Sequence, residues 1–172
     1  MSMQIAGAVA LAVGFAACVT DVRERRIPNV LTFGAAVAAL LVHGLTGGSS
    51  ALLQAAGGWL LGTVLFLPFF LLGGMGAGDV KLLAALGAWL GPSDAFWIAI
   101  YASLAGGVCA IAVALGHGYL RTALSNVRSM VTFWFLVGPR PVPGLDLTAK
   151  EAPRLAYAVP LFLGTALTIW LR

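Results

Sequence analysis

Carboxylates are scarce in this sequence, and two of them are placed where they could act as a catalytic pair. The six acidic residues are Asp21, Glu24, Asp79, Asp94, Asp146 and Glu151. Asp21 follows one apolar stretch and Asp79 precedes another. Two neighbouring carboxylates share a proton, so that one can take a proton from water while the other polarises a peptide carbonyl. We therefore interpret Asp21 and Asp79 as a candidate aspartic-protease pair, which titrates as a unit without a fixed role for either member.

Each aspartate taken alone also has a plainer interpretation. Asp79 could simply cap the start of a helix, a position at which aspartate is favoured. Asp21 could be a charge at the membrane edge, paired with Arg25 one turn later. Four of the six residues in 73–78 are glycine. Since glycine permits non-helical backbone and close approach of another chain, we expect this stretch to form the loop that holds Asp79.

The composition indicates the environment in which such a pair would work. Of 172 residues, 60% are hydrophobic and 9% are charged, whereas soluble domains carry about 25% charged residues. This excludes a soluble globule, a disordered chain and a disulfide scaffold, and it predicts a polytopic membrane protein. Cys18 and Cys109 lie in apolar stretches without metal-ligand spacing, so we expect no metal and no cofactor.

The elements that would position the pair are apolar helices. Six segments are predicted to cross the membrane: 3–19, 30–45, 52–72, 80–90, 97–115 and 155–171. An uncharged turn over 46–50 separates the second from the third, and the fourth is short for a span. The predicted fold is all-α: a single membrane helix bundle over 1–172, with one short or broken helix after the glycine-rich loop.

Segment 117–153 has a different pattern. Apolar residues recur at helical spacing up to Trp134, with Arg121 and Arg128 between them, and a Pro- and Gly-rich stretch follows. An amphipathic helix with a basic polar face is typical of the membrane interface. We therefore predict a cytoplasmic or interfacial segment rather than another span.

Basic residues predict the orientation of the bundle. The residues assigned to the inside loops are Arg23, Arg25, Arg26, Lys81, Arg121, Arg128, Arg140, Lys150 and Arg154, and Arg172 alone falls outside. Because positive charge accumulates on the cytoplasmic side, the net charge of +4 is assigned to topology rather than to nucleic-acid binding. This orientation places Asp21 and Asp79 at the cytoplasmic face and Asp94 at the opposite one.

Two motifs then resemble a known family. Residues 76–79 read Gly-Ala-Gly-Asp, a GxGD motif at the start of a membrane helix, and residues 80–82 read Val-Lys-Leu. Residues 21–29 read Asp-Val-Arg-Glu-Arg-Arg-Ile-Pro-Asn, an aspartate followed by a basic run and Ile-Pro-Asn. Both resemble the signatures of the type IV prepilin peptidases. The resemblance covers most of the chain up to about residue 115 and, more loosely, the last span.

The resemblance implies a membrane aspartic endopeptidase of the bacterial inner membrane, without a cofactor. Such an enzyme cleaves the basic leader of prepilins and pseudopilins at the cytoplasmic face. Asp21 and Asp79 would be the catalytic pair, and Gly76 and Gly78 would shape the loop. Residues implied for positioning or substrate contact are Arg23, Arg25, Arg26, Pro28, Asn29 and Lys81. For the basic residues among them, anchoring to anionic lipid is the alternative.

The longer members of this family also methylate the new pilin N-terminus and carry paired CxxC motifs. The sequence contains no CxxC. It therefore resembles the short, peptidase-only form associated with Flp/Tad pilus systems.

Two other function classes stay open at this point. A small transporter or channel subunit could also use acidic residues near a broken helix, although no polar residues mark a path across the membrane. A non-catalytic pilus-assembly scaffold could keep the fold without the chemistry. The particular prepilin and the oligomeric state are not predicted.

Overall fold

The computed structural model describes residues 3–140, 142 and 156–172, which form helices and no strand. The helices are α1 (Met3–Glu24), α2 (Asn29–Leu71), α3 (Ala77–Leu90), α4 (Pro92–Gly116), α5 (Leu120–Val137) and α6 (Ala158–Leu171). This confirms the predicted all-α class. The assignments made for Asp146, Lys150, Glu151, Arg154 and the first residue of the last span lie outside the described residues.

Three of these helices are long and apolar enough to cross a membrane. They are Gln4–Glu24, Asn29–Leu71 and Pro92–Gly116. Large apolar side chains on their outer surfaces, such as Phe15 and Leu53, are exposed. Exposure of so much apolar surface is unfavourable in water and is expected where helices face lipid. The structure therefore supports a membrane protein.

Helix α2 is a hairpin of two apolar arms, 29–47 and 49–71. Gly48 interrupts it with φ 67° and ψ −161°, a conformation that glycine adopts at little cost. Gly44 and Leu52, eight residues apart, lie side by side across this reversal. In place of the turn predicted over 46–50, the single non-helical residue Gly48 separates the two arms. The arms correspond to the second and third predicted segments.

Helix α1 runs further than its apolar stretch suggested. We expected it to end near residue 19, but the helix continues through Glu24, so that Asp21 lies within it. The charged side chains after residue 19 do not end α1, because charged residues at the edge of a membrane can still adopt helical backbone geometry. The end coincides instead with Arg25, whose φ is +55°, and with Pro28, which cannot continue a helical hydrogen-bond pattern.

Short helix α3 forms the centre of the bundle. Ten of its 14 residues are buried, and it contacts α1, α2, α4 and α6. A helix surrounded in this way has to be apolar on nearly all sides, which the sequence 80–90 satisfies. Every other helix that reaches the core is positioned relative to α3.

Helix α3 packs backbone to backbone against the second arm of α2. A Cβ atom built on Gly58 or on Gly87 would overlap the carbonyl group of the other residue. One turn further on, a Cβ on Gly62 would lie 2.7 Å from the carbonyl oxygen of Leu83. Small residues at such contacts let membrane helices approach closely. These glycines therefore determine how closely α3 packs on the second arm of α2 and where it lies along that arm.

Helix α5 is amphipathic, as the sequence predicted. None of its residues is buried, and within the part of the chain that the structure describes α5 packs on α4 alone. Val131 belongs to its apolar face, and Ser129 lies on the opposite side of the helix. The position of α5 at the membrane interface stays a prediction.

Substitution at Gly58 should destabilise the bundle, because an added methyl group meets the backbone of α3. We expect Gly58→Ala to lower the free energy of unfolding by about 1 to 3 kcal/mol or more. Gly57→Ala is a matched control, since the nearest atom to a Cβ there is Pro92 Cγ at 3.9 Å. Gly57→Ala should be neutral or stabilising by up to about 1 kcal/mol. Thermal unfolding in lipid nanodiscs measures both, and equal stability of the two variants would contradict the packing described above.

The depth of α5 can be measured with nitroxide labels on Val131→Cys and Ser129→Cys, in a background with Cys18 and Cys109 replaced by alanine. For an interfacial helix, the label at 131 should be more accessible to oxygen dissolved in lipid. The label at 129 should be more accessible to a water-soluble nickel complex. Both labels facing water would mean a helix off the membrane, and both facing oxygen would mean a span.

Candidate active site

Asp21 is buried between α1 and the start of α6. Its side chain is 8% exposed, and its Oδ2 accepts a hydrogen bond from the backbone N–H of Ala158 at 3.1 Å. One turn earlier on α1, the Cys18 thiol donates to the carbonyl oxygen of Ala158 at 3.1 Å. Both peptide groups of Ala158 are thus held by side chains of one face of α1. The carboxylate is fixed in place by a helix 137 residues away in sequence.

Asp79 is buried in the first turn of α3. It is 9% exposed, and its Oδ2 accepts a hydrogen bond from the backbone N–H of Gly76 at 3.2 Å. Gly76 is the N-cap residue, so Asp79 is not the cap itself, as the plainer interpretation had it. It reaches back to the cap from three positions further on, an arrangement that satisfies an otherwise free N–H.

The two glycines of the GxGD motif leave room for this arrangement. A Cβ on Gly76 would lie 3.1 Å from Asp79 Oδ2, and a Cβ on Gly78 would lie 3.2 Å from the side chain of Ile27. Ile27 belongs to the connection that follows Asp21 on α1. The motif glycines therefore let the segment after Asp21 approach the segment that carries Asp79. Gly76 caps α3 and Gly78 lies in its first turn, and their loop-shaping role stays a prediction.

The two carboxyl groups are close enough to interact electrostatically. Asp79 precedes the apolar stretch 80–90, and the pKa of its carboxyl group is raised to about 7. Burial is the main cause of this rise, and the charge of Asp21 adds to it, while the hydrogen bond from Gly76 opposes it. Near neutral pH, Asp79 can therefore carry a proton beside a second buried carboxyl group. This is the condition that acid–base hydrolysis by two carboxylates requires.

Lys81 and Asn29 are brought together, but away from Asp79. The Lys81 ammonium group donates to Asn29 Oδ1 at 3.0 Å and lies 5.1 Å from the centre of the Phe33 ring. Two residues along a helix correspond to a rotation of about 200°, so Lys81 projects from the opposite face of α3 to Asp79. These contacts join α3 to the first arm of α2. The predicted role of Lys81 and Asn29 in substrate contact stays a prediction.

The remaining predicted residues line the connection between α1 and α2. Pro28 is the N-cap of α2, and Arg23 and Arg26 are exposed. Arg26 lies 3.8 Å from the carboxylate of Glu24, also exposed, and such pairs contribute little to stability. These cations are accessible at the end of the bundle that carries the aspartates, where their contacts with substrate or lipid stay predictions.

Asp94 lies at the other end of the bundle, as predicted. It is in the first turn of α4, beyond the C-terminal end of α3, and its Oδ1 pairs with the guanidinium of Arg172 at 3.0 Å. Within the described residues, no group of three or more His, Cys, Asp or Glu could hold a metal ion. No local sequence pattern marks Ala158 or Cys18, because Ala158 meets Asp21 and Cys18 only through tertiary structure.

Comparison with known proteins gives a family match for this chain. The model of the type IV leader peptidase family matches residues 8–111, a stretch that includes both Asp21 and Asp79. No curated protein matches the chain, and no solved structure does. Because the match extends over more than half of the sequence, the chain belongs to the type IV leader peptidase family.

Proposed function

We propose that this protein is a membrane-embedded aspartic endopeptidase that removes the leader peptide of type IV prepilins, with Flp-type prepilins or related pseudopilins as its substrates. Membership of the family supports a leader-peptidase activity. The observation that carries the aspartic mechanism is the burial of Asp21 and Asp79 within interaction distance, with a raised pKa on Asp79.

The chemistry follows from two carboxyl groups that share one proton. The ionised group takes a proton from water as the water oxygen attacks the scissile carbonyl carbon. The protonated group donates its proton to the carbonyl oxygen, which gives a neutral tetrahedral intermediate. When the C–N bond breaks, the protonated carboxyl group gives its proton to the leaving nitrogen and the ionised one takes a proton from a hydroxyl group of the intermediate, which restores the shared proton of the pair. The products are the leader with a new carboxyl terminus and the mature pilin with a new amino terminus. The groups act as a pair, so neither is assigned one role.

The charges around the site support cleavage on the cytoplasmic side of the bacterial inner membrane. The end of the bundle that carries the aspartates also carries Arg23, Arg25, Arg26 and Lys81. At the other end, Arg172 is paired with Asp94. An excess of positive charge is typical of the cytoplasmic side. There the hydrophobic helix of a prepilin would lie in the bilayer, with its leader at the aspartates.

Replacing either aspartate should abolish cleavage without preventing insertion. We expect Asp21→Asn and Asp79→Asn each to lower leader cleavage by at least about 100-fold, since an amide cannot exchange the proton. Asp94→Asn is the matched control, because it changes a partly buried carboxylate at the opposite end of the bundle. The assay is the appearance of leader-shortened product when the full chain is co-expressed with an Flp-type prepilin.

Cleavage retained by Asp21→Asn or Asp79→Asn would overturn the aspartic mechanism. A correctly inserted wild-type protein that cleaves no member of a panel of prepilins would instead favour the scaffold alternative. A proton or ion flux through reconstituted protein would favour the transporter.

The raised pKa of Asp79 also predicts a pH dependence. Asp79 keeps its proton below a pH of about 7 and loses it as the pH rises through that value. Once both carboxyl groups are ionised, no proton is available for the carbonyl oxygen. The value of kcat/KM for a purified prepilin should therefore fall on the alkaline side of about pH 7. An activity that rises steadily from pH 7 to pH 9 would contradict a shared proton.

A further inference from the structure

The start of α6 holds Asp21, although it lies beyond the residues that the family model matches. Ala158 is the first residue of α6. The first N–H groups of a helix have no partner within it, and the helix dipole favours a carboxylate there. The Ala158 N–H, which has no acceptor within the helix, donates a hydrogen bond to Asp21 Oδ2 at 3.1 Å. The position of one reacting carboxylate therefore depends on the exact place where α6 begins.

Tyr157, the residue just before α6, fixes that place against two other helices. Its ring packs edge to face on Phe66 of α2, with centroids 5.9 Å apart. It also lies against Gly106 of α4, where a Cβ atom would come within 2.8 Å of the ring. Its hydroxyl group hydrogen-bonds with Ser103, one turn earlier on α4. The ring thus occupies a notch that glycine leaves open.

Tyr157 lies near both carboxylates. The neighbouring Ala158 N–H bonds Asp21, and Tyr157 is close enough to Asp79 to interact with it electrostatically. Asp21 in turn interacts electrostatically with Cys18 on α1 and with Asp79 on α3. Displacement of Tyr157 would therefore change the surroundings of the pair and not merely the packing at a remote position.

We propose that Tyr157 is a positioning residue of the active site: by filling the notch at Gly106 it places the Ala158 amide on the Asp21 carboxylate. The aromatic ring carries this role, and the hydroxyl group makes a smaller contribution through Ser103. The inference rests on the proposed function for its kinetic readout, but the position of α6 can also be tested without substrate.

Two matched pairs of variants separate the ring from general effects. Tyr157→Ala removes the ring, while Tyr157→Phe keeps it. Gly106→Ala forces a methyl group into the notch, while Gly107→Ala, the next residue on the same helix, meets no atom within 4 Å. Both glycine substitutions favour helix equally. If the Tyr157 ring positions the Asp21 carboxylate, Tyr157→Ala and Gly106→Ala should lower the activity, whereas Tyr157→Phe and Gly107→Ala should not.

The kinetic test uses the purified full chain and a prepilin. In Tyr157→Ala and Gly106→Ala we expect kcat to fall at least about 10-fold with KM nearly unchanged, since misplacement by about 1 Å can cost 100-fold. Tyr157→Phe and Gly107→Ala should stay within about 3-fold of wild type. A residue with a purely structural role would reduce the amount of folded enzyme and leave kcat per folded molecule in place.

A second readout does not depend on activity. In a Cys109→Ala background, the rate at which a maleimide labels Cys18 reports whether the Cys18–Ala158 contact is intact. We expect labelling to be at least about 10-fold faster with Tyr157→Ala or Gly106→Ala, and unchanged with Tyr157→Phe. Unchanged labelling in Tyr157→Ala would overturn the proposal, whether or not the wild type cleaves prepilin. Faster labelling with an unchanged kcat would overturn the link to Asp21. If Asp21→Asn keeps activity, the proposed function fails, and the labelling result still decides how α6 is held.

Discussion

Two carboxyl groups of like charge are held together in this bundle with almost no exposure to solvent. An isolated buried carboxylate costs several kcal/mol unless it is hydrogen-bonded or neutralised. The structure offsets this cost in the same way at both positions, with a backbone N–H from the start of a helix. Gly76 at the start of α3 serves Asp79, and Ala158 at the start of α6 serves Asp21. What remains of the cost raises the pKa of Asp79, and a raised pKa is the property that the proposed mechanism needs.

Close helix packing keeps these two helix starts in place. Gly58 and Gly87 bring the second arm of α2 into backbone contact with α3, which sets the position of Asp79 along the bundle. Gly106 performs a related task for α6, by leaving space for Tyr157. In both places the absence of a side chain on glycine lets another group come close: the backbone of the facing helix at Gly58 and Gly87, and the Tyr157 ring at Gly106. The site is thus assembled by contacts among α1, α2, α3, α4 and α6: Asp21 is bonded by the start of α6, and the helix that carries Asp79 packs on α2.

The sequence predicted the parts of this site that depend on local patterns. Apolar length predicted the helices, basic residues predicted one charged end, and the GxGD motif placed Asp79 near the start of a helix. Local patterns failed where geometry decides. The charges after residue 19 suggested a helix end, yet α1 continues until Arg25 and Pro28. Lys81, two residues from Asp79, projects from the opposite face of α3. Tyr157 and Ala158 carry no motif, because their contacts join segments that are distant in sequence. Ala158 bonds Asp21, 137 residues away, and the Tyr157 ring packs on Phe66 and at Gly106.

The shortness of α3 has a consequence for how this helix is accommodated in a bilayer. Fourteen helical residues extend about 21 Å, against about 30 Å for the hydrocarbon core of a bilayer. A helix too short to reach both surfaces leaves terminal backbone groups where water cannot satisfy them, so other parts of the protein have to supply the partners. At one end of α3, Asp79 accepts a hydrogen bond from the Gly76 N–H. At the other end, His43 Nε2 lies 3.2 Å from the carbonyl oxygen of Trp89. The candidate catalytic carboxyl group is therefore also one of the contacts through which a helix of this length fits the bundle.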